Sequence, residues 1–174
     1  VLKPIAEAGF PVIVLDHHEP DGTLPPAAHV VNPKRADDDS GLFMLAAVGV
    51  TFLFCVGVNR ILRESGFYTG GQTEPPLKEW LDLVALGTLC DMVPLTGPNR
   101  MLVRVGLTAM AARKNIGIAA LAKMAKIEEG QAITPMQVGF ALGPRINAGS
   151  RVDQANLGSR LLSCEDPVEA LRYE

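Results

Sequence analysis

Asp16, His17 and His18 stand side by side directly behind the apolar run Val12-Ile13-Val14-Leu15. A carboxylate and two imidazoles suit a divalent cation such as Mn, Mg or Zn. The acid can also fix the tautomer of a ligating ring by accepting its second N–H. The chain has three histidines, and two of them are adjacent here. The plainer reading is an Asp that starts a turn, followed by two surface histidines. The apolar run in front of the triplet argues against it. Asp91 is a lone carboxylate between Cys90 and Met92-Val93. A carboxylate in apolar surroundings needs a partner such as a metal or a His; a solvated helix-terminal Asp is the alternative. Arg145, Asn147 and Arg151 lie among Gly, Ala and Ser. Small residues let backbone approach a ligand, and Arg grips oxyanions bidentately, which suits phosphate. A loop held by surface salt bridges is the alternative there.

The elements that must position these groups follow from local pattern. Val12–Leu15 is four apolar residues, three of them β-branched. That predicts a short strand buried on both faces, as in the centre of a parallel sheet. Open α/β sheets bind ligands at the carboxyl ends of their strands, where Asp16-His17-His18 falls. Residues 1–10 read as the tail of a helix closed by Gly9. Helix, glycine, buried strand is the αβ step of a doubly wound fold. Residues 19–39, with Pro20, Pro25, Pro26 and Pro33, form a long irregular loop carrying a short edge strand that ends at Asn32. Asp37, Asp38 and Asp39 read as the acidic flank of the next helix, with Ser40 as its cap.

Gly41 to Val58 contains no charged residue, and its 18 positions reach the length of a membrane span. Gly41, Gly49 and Gly57 recur on nearly one helical face, and Asn59, Arg60, Arg63 and Glu64 continue the helix as polar residues. A helix crossing the sheet at close range fits better than an anchor. Residues 65–76 read as a flexible loop, and Leu77–Leu89 as a helix or a helix running into a strand. Two amphipathic helices follow, Asn99–Arg113 and Ile118–Lys126, with Arg100, Arg104, Arg113, Lys114, Lys123 and Lys126 on solvated faces. Thr134-Pro135-Met136-Gln137 is a capping box with Pro at the first helical position. It opens a short helix ending at Leu142-Gly143-Pro144.

The chain has 174 residues, 48% of them hydrophobic, which is ample for a core. A net charge of −3 removes the whole-chain basic footprint expected for duplex binding. With one Trp and two Tyr, no platform for stacking single-stranded bases is visible. Cys55, Cys90 and Cys164 are odd in number and set in apolar stretches. They read as reduced, buried thiols of a cytoplasmic protein. The chain begins without Met, and Asp166-Pro167-Val168-Glu169 starts a helix that is soon cut off. Both features predict an internal fragment of a longer protein.

Asp16-His17-His18 behind a strand, then Glu-Pro, a Pro-rich loop and Val31-Asn32-Pro33, resembles the DHH phosphoesterase superfamily. The stretch Leu81-Asp82-Leu83-Val84-Ala85-Leu86-Gly87-Thr88-Leu89-Cys90-Asp91-Met92-Val93-Pro94-Leu95, followed by Asn99-Arg100, is similar to the late aspartate motif of its single-strand-specific exonuclease branch. Gly143-Pro144-Arg145-Ile146-Asn147-Ala148-Gly149 with Arg151 is similar to the Arg-rich motif of the same branch. The three occur in the order of that branch and span the whole chain. The resemblance implies an α/β fold: a parallel sheet flanked by helices, the carboxy-terminal part of a DHH domain over residues 1–130. Residues 131–174 would be a helical connector and the start of a following DHHA1-type domain.

It further implies 5′→3′ hydrolysis of single-stranded DNA in repair and recombination, with two Mn²⁺ or Mg²⁺ ions clamping the phosphodiester. His17 and Asp91 match metal ligands. Asp16 would orient the ligands, and His18 would meet metal or the scissile phosphate. Arg145, Asn147 and Arg151 would hold the DNA backbone or its terminal phosphate. The implied partners are single-stranded DNA, a single-strand-binding protein and a helicase, with no membrane. The superfamily's early motifs, an Asp-x-Asp pair and a further Asp, precede Asp16-His17-His18, and Glu7 is the only acid before residue 11. This chain is therefore expected to carry half a metal site and to be inactive alone. Ser150 stands where the branch usually has Gly. A DHH phosphatase, a short-oligonucleotide phosphodiesterase and a non-catalytic DNA-binding relative remain alternatives.

Overall fold

The computed structural model describes residues 2–25, 29–152, 156–170 and 172, with the side chains of 149–152 left undescribed. The chain divides into two compact units, Val1–Pro75 with Val93–Asn99, and Pro76–Met92 with Arg100–Glu174.

The first unit opens with helix α1 (Leu2–Glu7), closed by Gly9 at φ 80°. Strand β1 (Ile13–Leu15) pairs in parallel with β2 (His29–Val31), in the register Ile13 with His29 and Leu15 with Val31. The Asp16 N–H donates to the Val31 carbonyl and extends the ladder past the strand end. Among the described residues this is a two-stranded sheet. The expected parallel pairing is present, but burial on both faces is not. Ile13 is 51% and Val31 40% exposed, because among the described residues of this unit helix α2 (Ala47–Glu64) is what packs against β1.

Helix α2 starts later than expected. Its cap position is Ala46, without a side-chain bond. Ser40 instead donates its N–H and hydroxyl to Asp38, and Asp37 pairs with Arg35, so the acidic triplet folds on itself. The glycine face is not a close-contact face either. Gly41 lies before the helix at φ 69°, and nothing stands within 4 Å of a Cβ at Gly57. Among the described residues no helix is long and apolar enough to cross a membrane. Residues 65–76, expected as a flexible loop, contain a 3₁₀ turn (Phe67–Gly70). Asn59, 6% exposed on α2, donates to Glu74 and accepts from the Tyr68 hydroxyl, while Arg63 pairs with the same Glu74.

The second unit is helical: α3 (Leu81–Cys90), the Arg100–Ala111 part of α4 (Gly97–Ala111), α5 (Ile116–Met124), α6 (Pro135–Gln137), a π turn (Val138–Leu142), α7 (Gly143–Val152), α8 (Leu157–Leu162) and α9 (Pro167–Ala170). Its core gathers Ala85, Leu86, Met110, Ile118, Leu121 and Leu142, all under 4% exposed. The capping box at Thr134 and Gln137 is present, and Asp166 caps α9 through the Val168 N–H. The close helix approaches occur here. A Cβ on Gly106 would overlap the Leu81 carbonyl oxygen and stand 2.6 Å from the Ala85 Cβ. Of the six basic residues expected on solvated faces, Arg113 departs, since both terminal guanidinium nitrogens are enclosed without a partner among the described residues. The three cysteines are free as expected, but Cys90 is exposed and the other two are half-buried.

Asp82, in the first turn of α3, is 4% exposed. Burial raises its pKa above the ordinary value, the Leu83 N–H opposes that, and nearby Glu79 adds to it. The folded chain thus holds the proton more tightly than the unfolded one. Stability falls as pH rises from about 3.8 through the raised value. Asp82→Asn should flatten that fall in urea-unfolding midpoints taken from pH 3 to pH 8. Gly106→Ala should cost about 1–3 kcal/mol or more, because backbone cannot yield to the new methyl. Gly57→Ala, in open space, should gain about 0.5–1 kcal/mol. Equal midpoints for these two variants would contradict the packing described.

Candidate active site

The end of β1 is tied down by hydrogen bonds that the local sequence makes unavoidable. Asp16 Oδ1 accepts the His17 N–H at 2.8 Å and the His18 N–H at 3.3 Å, an Asx-type turn. The same oxygen stands 2.7 Å from His18 Nδ1. Burial pushes the Asp16 carboxyl up, but the His18 ring and the two N–H groups outweigh it and hold it below the ordinary carboxylate range. An ionised Asp16 accepts only, so the His18 Nδ1–H donates to it and Nε2 is the ring nitrogen left over. The His18 side chain is 78% exposed, leaving that nitrogen reachable. The His17 ring lies 4.6 Å from it, tilted by 51°.

Asn32 holds this turn from the other strand. It is 6% exposed, its Nδ2 donates to the His18 carbonyl at 2.8 Å, and its Oδ1 accepts the Lys34 N–H at 2.9 Å. One amide side chain thereby joins the loops following β1 and β2. The sequence reading placed Asn32 at a strand end and within the DHH resemblance, without a role of its own. The available signal was Asn followed by Pro, which favours a turn with a side-chain acceptor.

The remaining candidates lie in the second unit. Asp91 caps the C-terminus of α3, donating its N–H to the Gly87 carbonyl. Its side chain is exposed rather than set in apolar surroundings. Arg145 and Asn147 are on helix α7, not in a loop, and both are exposed. A π turn leads directly into α7, a form often found at functional sites. Gly143 permits the approach, since a Cβ there would meet the Cys90 sulfur at 2.7 Å. Arg145 donates to the Ala141 carbonyl at 2.6 Å and to the Met124 carbonyl at 3.4 Å. Residues two apart on a helix do not share a face, so Arg145 and Asn147 point apart, whereas positions 147 and 151 are one turn apart. The Arg151 side chain lies outside the described residues.

The donors in the Asp16 turn fit a hard divalent cation in kind: carboxylate oxygen and imidazole nitrogen. They fall short in number. Among the described residues no group of three or more His, Cys, Asp or Glu gathers into a metal site, whereas Mg²⁺ demands near-octahedral coordination.

Comparison with known proteins identifies the family. The description "DHH family, N-terminal domain" matches residues 2–88, half of the sequence. The chain belongs to the DHH family. The single-stranded-DNA-specific exonuclease RecJ of Dickeya dadantii (strain 3937) is 43% identical to this DHH chain over 164 residues. That match covers 93% of the DHH chain, which spans 28% of the relative's length. A crystal structure of exonuclease RecJ bound to manganese superposes with a TM-score of 0.77 at 35% identity, over 99% of this chain and 40% of that one. RecJ of Thermus thermophilus in complex with Mg²⁺ gives 0.62 at 32% identity, over 92% and 22%.

Asn32→Ala removes the pin on the His18 carbonyl and leaves buried groups unpaired, a loss of about 1–3 kcal/mol. Amide exchange at residues 17–19 should accelerate while α5 keeps its protection. Unchanged exchange at 17–19 would show that the turn stands without Asn32.

Proposed function

We propose that this DHH chain is part of a metal-dependent exonuclease that hydrolyses single-stranded DNA in the 5′→3′ direction, with Mn²⁺ or Mg²⁺ as cofactor. The observation that carries it is the Asp16 turn at the carboxyl end of β1. There a low-pKa carboxylate takes the His18 Nδ1–H and leaves Nε2 over. The likeness to RecJ exonucleases over nearly the whole chain supports the same reading.

In this reading His17 and Asp91 hold metal, Asp16 orients His18, and His18 meets metal or the scissile phosphate. Bound ions would clamp the phosphodiester and lower the pKa of an attacking water. Arg145, Asn147 and Arg151 take the DNA backbone or its terminal phosphate. For Arg145 this means trading its bonds to the Ala141 and Met124 carbonyls, or using the N–H groups those bonds leave over. The remaining ligands come from the superfamily's early aspartate motifs, since the donors described here do not complete a site. The 174 residues alone therefore hold metal poorly and are inactive. Residues 1–130 form the carboxy-terminal part of a DHH domain, and 131–174 lead into a DHHA1-type domain. A single-strand-binding protein and a helicase are its protein partners.

The test is Mn²⁺-dependent degradation of 5′-labelled single-stranded and duplex DNA by a full-length protein carrying this chain. Single strands alone should be degraded. His17→Ala and Asp91→Ala should each lose at least about 10²-fold, the scale of lost metal-held transition-state stabilisation. A full-length protein that binds DNA but is inert, or variants that keep the parent rate, would overturn the assignment.

A further inference from the structure

Asn99 takes no part in the proposed hydrolysis, yet its side chain, in the first turn of α4, is 0% exposed. Its Nδ2 donates to the Met44 carbonyl at 2.6 Å and to the Pro94 carbonyl at 3.0 Å. Its Oδ1 is enclosed, and nothing among the described residues donates to it. An enclosed acceptor without a donor is costly. The two donations are therefore what this amide contributes.

Pro94 follows Asp91 by way of Met92 and Val93. The chain turns there through Met92 at φ 56°, a left-handed conformation that is costly for any residue with a side chain. The Met92 side chain is 83% exposed, so its own packing does not hold the turn. The entry is held by the Asp91 N–H on the Gly87 carbonyl and by a longer bond, 3.4 Å, from the Met92 N–H to the Leu89 carbonyl. The exit is held by Asn99 on the Pro94 carbonyl. Strained backbone persists only where its surroundings over-determine it. The second donation reaches Met44, next to Leu45 and Ala46, both under 3% exposed at the start of α2. Helix α2 in turn packs against β1. One amide thus ties the way out of the Met92 turn to a buried part of the first unit. Asp91 itself is exposed, so core packing does not set its aim.

We propose that Asn99 is a positioning residue for Asp91: through the Pro94 carbonyl it holds the left-handed turn at Met92, and with it the aim of the Asp91 carboxylate toward a divalent cation. This rests on the reading of Asp91 as a metal ligand. Asn99 does not touch the metal. Groups that orient a ligand change metal affinity all the same, by about 10–100-fold when removed.

The experiment is calorimetric titration of Mn²⁺ into a full-length protein carrying this chain, without DNA. Asp91→Ala should weaken Mn²⁺ binding, as the metal reading requires. Asn99→Ala should weaken it at least about 10-fold while keeping the circular-dichroism spectrum of the parent. Leu102→Ala removes buried bulk from the same helix, and should lower the unfolding midpoint while leaving Mn²⁺ affinity unchanged. Asn99→Ser keeps one donor and should show an intermediate loss of affinity; it carries the test if Asn99→Ala fails to fold. Parent-like affinity in the folded Asn99 variant, beside a weakened Asp91→Ala, would overturn the positioning role and leave the metal reading standing. Parent-like affinity in Asp91→Ala would sink both. A loss in Leu102→Ala equal to that in Asn99→Ala would mark a general effect of destabilisation and overturn the proposal.

Discussion

The carboxyl end of β1 depends on one carboxylate oxygen. Asp16 Oδ1 takes two backbone N–H groups and faces the His18 ring nitrogen. Those contacts end the strand, turn the chain and choose the imidazole tautomer in a single arrangement. Burial alone would favour a protonated Asp16, and protonation would loosen all three contacts. The hydrogen bonds win, so the carboxylate stays charged and the turn stays closed. Asn32 then ties this turn to the loop after β2 through the His18 carbonyl. A two-stranded sheet of three-residue strands has little stiffness of its own. The polar links at its end therefore do what a longer ladder does elsewhere.

The second unit is stiffened differently. Its helices come within backbone contact where glycine replaces a side chain, at Gly106 against Leu81, Gly117 against Leu161 and Gly143 against Cys90. Close approach of that kind fixes helix ends within narrow tolerances, because a core at this density cannot yield. Asp91 ends α3 and Arg145 begins near the start of α7, so both proposed functional side chains sit at helix termini set by such contacts.

Much of this was legible in the residues. The β-branched run, the capping box at Thr134, the Asp166 cap and the placement of Asp16-His17-His18 behind a strand all rest on local rules, and local rules held. Two of the failures needed partners distant in sequence. Burial of β1 depends on what covers each face, and among the described residues of its unit α2 is the element that does so. The eight-residue glycine spacing suggested a packing face on α2, yet spacing says nothing about whether another element arrives there. Ser40 looked like a cap, and its hydroxyl accepts the Leu42 N–H at 3.2 Å while donating to Asp38, but α2 begins only at Ala47. Arg145 to Arg151 looked like a loop because Gly and Ala are abundant there. The π turn before it carries the helix through Gly143-Pro144, and Pro is tolerated in a first helical turn.

Charge is unevenly placed within the second unit. Arg145 is exposed on α7 and bonded to carbonyls that close other helical turns. Met124 ends α5, and a helix C-terminus is the negative pole of its dipole, so that carbonyl offers the guanidinium a favourable field. In the proposed nuclease reading a phosphate, with its full charge, would displace both carbonyls. Asp82 presents the opposite case. It lies in the first turn of α3, where the positive helix pole supports a carboxylate, yet its burial outweighs that support. One helix end thus holds a cation that is locally satisfied and free to trade. The other holds an anion bonded to backbone N–H groups alone.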